Sequence, residues 1–241
     1  MLSLPLDILR EIVDELVLLH DRGTLRALSL TCQAIRLPCL KHLFRSISIP
    51  RSTAGLEKAG RWRLSQRDRR DFCSLLERSP YLVACMKSIR FVMDEDDIKV
   101  STKPSMDRMA IINILRKFDH VKEFTISWEG EEPNRLEWTT LTSGLVSLHL
   151  AILAVLTNDS LRNLTLERID NFPLSTLAPR FCHLSGFKVV NTTFRSTSEV
   201  RTCVLPSLRV LHLRMNDKRI GATAQNPVDL APQLSTLKLR T

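Results

Sequence analysis

The chain predicts an α/β protein: a small all-helical N-terminal module, then irregular strand-centred repeats forming a curved parallel sheet. Three observations lead there. The first 49 residues carry apolar side chains at helical spacing. After Pro80 the texture changes to recurring Leu-rich strand patterns. The seven-residue total of glycine and the single tyrosine argue against Gly-rich phosphate loops and aromatic nucleic-acid platforms.

In the first module, Pro5 suits a helix start, because its missing N–H has no intrahelical partner there. Leu9, Ile12, Val13, Leu16 and Leu19 follow at three- and four-residue steps. Gly23 reads as a turn with Thr24 as an N-cap. A second helix is expected to carry Leu25, Leu28 and Cys32, and a third to start near Pro38 and carry Leu40, Leu43 and Phe44. So short a unit buries little surface by itself. The apolar residues cover more than one face of the first helix, so they call for a cover, either the rest of the chain or another protein.

The ordered set Leu4-Pro5, Ile8-Leu9, Ile12, Leu16, Leu28 to Cys32 and His42-Leu43-Phe44-Arg45-Ser46-Ile47 resembles an F-box of fungal type. The resemblance covers about a fifth of the chain. It implies a Skp-type adaptor as partner and, through it, a cullin–RING ubiquitin ligase. It also implies Leu4, Pro5, Ile8, Leu9, Ile12, Leu16, Leu28, Cys32, Ile35 and Phe44 as the adaptor-facing residues. Ile35 stands where the family usually carries tryptophan, so a modest adaptor affinity is expected.

Residues 50–80 read as a linker and connecting helix, with Ser65-Gln66-Arg67-Asp68 resembling a capping box. Residues 81–241 form the repeat domain. Seven segments share the order apolar, two variable, apolar, one variable, apolar. They start at Met86, Val121, Leu145, Leu161, Leu184, Leu208 and Leu234. The steps are 35, 24, 16, 23, 24 and 26 residues, and four of them match a leucine-rich-repeat period of roughly 20–29. Ser105 to Phe118 carries a helix with a wide apolar side. This half resembles the irregular leucine-rich-repeat solenoids that follow the F-box in many such proteins; an ordinary α/β domain with Leu-rich strands is the alternative. The last strand pattern, Leu234-Leu237-Leu239, has no polar cap behind it, which suggests a truncated array.

The middle strand column reads Arg90, Thr125, His149, Thr165, Lys188, His212 and Lys238; the next ends on Arg214 and Arg240. Arg90, His149, Lys188, His212, Arg214, Lys238 and Arg240 are therefore the candidate substrate-binding residues. Their charge suits an acidic or phosphorylated segment of a protein substrate whose identity the residues do not specify.

No catalytic or metal-ligating constellation is found: G-x-S-x-G, H-E-x-x-H and P-loop patterns are missing, and the six histidines sit singly. A non-enzymatic chain with no cofactor is expected. The six cysteines form no C-x-x-C pair and read as reduced, mostly buried thiols. No secretory signal and no membrane span are read, so a cytoplasmic or nuclear location is expected. Net charge is +9, partly from the arginines between Arg51 and Arg70. A solvated helix face explains that cluster better than nucleic-acid binding. The functional expectation is a substrate-recognition subunit of an SCF-type (Skp–cullin–F-box) ligase. A ligase-independent interaction scaffold is the alternative, and a basic nucleic-acid binder the lesser one.

Overall fold

The computed structural model describes residues 5–19, 21–31, 33–49, 62–63, 66–93, 98, 106–130, 135–194, 205–214 and 236–240. The fold is α/β, with helices packed on a parallel sheet. The strands are β1 (Ser46–Ile49), β2 (Trp62–Arg63), β3 (Ser88–Met93), β4 (Glu123–Trp128), β5 (Leu136–Glu137), β6 (Asn163–Glu167), β7 (Ile169–Asp170), β8 (Gly186–Val190), β9 (Val210–Arg214) and β10 (Thr236–Arg240). The main sheet has the order β2-β1-β3-β4-β6-β8-β9-β10, and β5 pairs with β7 in a small second one. All these pairings are parallel.

Alternation along each strand builds the core. Ile47, Ile89, Phe124, Leu164, Phe187 and Leu211 form one buried row. Ile49, Phe91, Ile126, Leu166 and Val189 form the second, each fully buried. Side chains two apart on a strand share a face, so both rows point to one side. The helices α4 (Gln66–Arg78), α6 (Met106–Arg116) and α8 (Val146–Leu156) pack in that order, and their apolar sides join the same core. Among the described residues, this part also has α5 (Pro80–Cys85), α7 (Trp138–Gly144) and the short α9 (Leu174–Leu177), which runs into a 3-10 turn at Ala178–Arg180. A Cβ at Gly130 would run into the buried Trp128 indole, so glycine is required where the chain leaves β4.

Six of the seven expected strand segments are strands. The exception is the pattern at Leu145-Leu148-Leu150, of which Leu145 caps α8 and Leu148 and Leu150 lie in it. Leu148, Ala151, Ile152, Val155 and Leu156 are its buried residues, at the three- and four-residue steps of a helix face, while Leu150 is exposed. Without that segment, the step from Val121 to Leu161 is 40 residues, long enough for α7 and α8.

One repeat precedes the expected first one. Phe44, Ile47 and Ile49 have the same spacing, and β1 carries them into the sheet beside β3. Ser46–Ile49 therefore serves the sheet rather than closing the helical module.

That module contains α1 (Leu6–Leu18), α2 (Arg22–Thr31) and α3 (Gln33–Leu43). Asp21, not Thr24, caps α2: its carboxylate accepts the Thr24 backbone N–H at 2.9 Å and the Thr24 hydroxyl at 2.6 Å. These bonds, the hydroxyl's first, hold the Asp21 pKa below its ordinary value. Helix α3 starts five residues before Pro38 and continues through it. Ile35, Cys39 and Leu43, spaced four apart, bury one stripe of α3 and carry the helix past the proline.

Candidate functional surfaces

The helical module has its own small core of Val13, Leu25, Ile35, Cys39 and Leu43. Leu9, Leu16 and Leu28, expected to face an adaptor, are half-buried against it. Phe44 packs against both this core and that of the sheet, joining the two. Ile35 is corrected most clearly. At 3% exposure it is a core residue and offers no area to a partner in this packing.

Its replacement by tryptophan is accordingly expected to destabilise the protein by about 1–3 kcal/mol through overpacking. A thermal unfolding midpoint at or above that of the native chain would contradict this placement.

Pro5, Ile8 and Ile12 are exposed, as adaptor-facing residues must be. Leu4 and Cys32 lie outside the described residues. Four exposed leucines were not anticipated: Leu18, Leu19, Leu30 and Leu37. Ile8, Ile12 and Leu19 recur at steps of four and seven, which places them on one stripe of α1 next to its buried face. Expecting Leu19 to turn inward hid this stripe. Val13 lies on the inner face as expected, and Val17 rather than Leu19 joins it there.

The strand columns are in register. Arg90 pairs with Thr125, Thr125 with Thr165, Thr165 with Lys188, Lys188 with His212, and His212 with Lys238. Arg214 lies between Val190 and Arg240 in the adjacent column. Lys188 and His212 are half-exposed and Arg214 is exposed. For Lys238 and Arg240 the backbone register is described, and their side chains lie outside the described features.

Two candidates do not join this strip. His149 is on α8, where its ring meets Trp138 edge-on at 5.6 Å and burial pushes its pKa below the ordinary value. Arg90 is on the strand face, but it is already paired. Its guanidinium donates to Glu167 at 3.0 Å and to Ser127 at 3.3 Å. Arg90 is thus neutralised by Glu167, while Lys188 of β8 and Arg214 of β9 remain at least partly open to solvent.

Beyond the strand ends, polar groups bind one another. Asn171 donates to both Glu137 carboxylate oxygens at 3.0 and 2.9 Å. Asp170 accepts from Thr193 at 3.0 Å and pairs with Arg135 at 3.4 Å. Arg168 and Asn191 follow β6 and β8 at matching positions, and both adopt positive φ, 60° and 48°. Asparagine tolerates that conformation, whereas arginine at this position is held by its backbone bonds to Val190 and Leu136. The acidic run Asp94-Glu95-Asp96-Asp97, which the sequence places just after β3, lies outside the described residues.

Cys39 and Cys85 are buried reduced cysteines outside any disulfide, and Cys182 is an exposed one. Among the described residues, no helix is long and apolar enough to cross a membrane. Searches with family models, curated proteins and solved structures gave no match to this chain.

Proposed function

We propose that this chain is a substrate-recognition subunit of an SCF-type ubiquitin ligase, with an F-box at residues 1–49 and a leucine-rich-repeat-like solenoid behind it. The observation that carries the reading is the apolar surface of the helical module. Ile8, Ile12, Leu18, Leu19, Leu30 and Leu37 are 41–79% exposed on a three-helix unit whose sequence resembles an F-box. Exposed apolar residues gathered on so small a unit are the mark of a docking face. A Skp-type adaptor is the partner this face would take.

The strand face at β8, β9 and β10 supports the other half of the reading. Lys188, Arg214, Lys238 and Arg240 are brought to adjacent strands by register, while Arg90 is neutralised by Glu167. An acidic or phosphorylated segment of a substrate would gain charge-assisted hydrogen bonds there. The chain itself does no bond chemistry in this scheme. It raises the effective concentration of the substrate at another subunit's active site.

Affinity purification of the full chain with identification of the captured proteins tests the reading. Adaptor and cullin are expected together with candidate substrates. Reversal of Lys188, Arg214 and Lys238 to glutamate should release the substrates and leave the adaptor bound. Capture of the same substrates by the triple variant would move the recognition surface elsewhere. Failure of the native chain to retain any adaptor would overturn the assignment itself.

A further inference from the structure

The edge of the sheet where the strands begin carries a ladder of cations. Arg45, Lys87, Lys122 and Arg162 each stand immediately before their strand, on the consecutive neighbours β1, β3, β4 and β6. Their backbones are joined rung to rung. The Arg45 carbonyl accepts the N–H groups of Lys87 and Ser88 at 2.9 and 3.0 Å. Lys87 does the same for Lys122 and Glu123, and Lys122 for Arg162 and Asn163, at 2.8–2.9 Å. The ladder continues through Ser185 to Arg209.

Arg45, Lys122 and Arg162 are exposed and Lys87 is half-exposed. None of the four is ion-paired with a carboxylate among the described residues. Arg162 donates to the Asp159 and Leu161 carbonyls, which are neutral and leave its charge uncompensated. Lys41, one helical turn before Arg45, adds a further exposed cation. Burial pushes the Cys85 thiol pKa up, and Lys41 and Lys87 both lie close enough to oppose that push. Glu123 is the acid nearest the ladder in sequence, one residue past Lys122.

We propose that this rim is a binding surface for the phosphodiester backbone of a nucleic-acid duplex. Strand spacing of about 4.8 Å spreads the four rungs over about 14 Å. One strand of a duplex presents about four phosphates along that length of its axis. An extended acidic peptide of the same length has about four residues, and alternation turns only about two of their carboxylates to the rim. The repeating phosphates therefore supply the better charge match. The residues preceding the rungs, Phe44, Met86, Val121 and Leu161, belong to or pack against the core and offer no stacking surface for bases. The contact is thus to phosphates and independent of base sequence, in a chain whose net charge is +9.

The rungs at Lys87, Lys122 and Arg162 precede β3, β4 and β6, strands that carry none of the adaptor-docking residues, so the proposal stands or falls on them independently of the ligase reading. The test is fluorescence anisotropy of a labelled 20-base-pair DNA duplex with the full chain across a salt series. The native chain is expected to bind with log K falling against log salt at a slope of about −3 to −4. Lys87→Gln, Lys122→Gln and Arg162→Gln together should flatten that slope by about 3, and Lys122→Gln alone by about 1. The single variant keeps the test open if the triple variant folds poorly. The Lys188, Arg214 and Lys238 reversal should retain the rim's contribution to the slope. Absence of duplex binding at low salt, or an unchanged slope in a folded rim variant, would overturn the proposal. So would equal or tighter binding of a polyglutamate peptide or of anionic lipid vesicles.

Discussion

Replacing Phe91 with alanine is expected to cost about 3–5 kcal/mol of folding stability. Phe91 has no exposed area and lies on β3, between Ile49 of β1 and Ile126 of β4, in the row that faces the helices. Strands on both sides restrict how far the site can collapse around the missing ring, so much of the cavity should persist. The loss is measured as a fall in the urea midpoint with the m-value unchanged. Leu150→Ala is the matching control, because Leu150 is 53% exposed on α8 and should cost little. A loss below about 1 kcal/mol for Phe91→Ala would mean that the row is not the core of this fold.

Changing Ile8 and Ile12 together to aspartate is expected to abolish co-purification with a Skp-type adaptor while the chain stays folded. Both side chains are already more than 40% exposed, so charges there remain hydrated in the free protein. In a docked complex the same carboxylates would be buried without partners, which costs several kcal/mol or holds the surfaces apart. A drop of about 4 kcal/mol is a thousandfold in affinity, enough to empty a pull-down. The thermal midpoint should shift by only a few degrees, which separates lost docking from lost folding. Undiminished adaptor capture by the double variant would remove the F-box assignment.

Much of the fold is legible in the residues. The spacing apolar, two variable, apolar, one variable, apolar marks six strands correctly, because a strand buried on one face needs alternation and little else. The same reading misses β1. The first repeat is hidden behind Phe44, a residue counted with the helical module, and its successor at Met86 is 42 residues away. It also takes the start of α8 for a strand. Leu148 and Leu150 alternate as a strand would, and only the continuation from Leu148 to Ala151, Ile152, Val155 and Leu156 at three- and four-residue steps reveals the helix.

The candidate surfaces were legible to a different degree. Register could be counted from the repeats, so the column through Lys188, His212 and Lys238 is found without coordinates. That Arg90 is spent on Glu167 could not be, since the pair spans 77 residues and lies two strands apart in the sheet. The cation ladder at Arg45, Lys87, Lys122 and Arg162 was visible as a basic residue after each leading apolar position, once Phe44 is counted as a repeat start.

The sequence by itself determined the class of the fold, the positions of most strands and the sign of the charge along them. These depend on local periodicity and composition, which neighbouring residues set. The tertiary structure alone decided which apolar residues are core and which stay exposed. Ile35 and Ile8 have the same side chain, yet one is 3% exposed and the other 43%. The difference lies in how α1, α2 and α3 pack together, a property of their contacts that no stretch of residues carries alone.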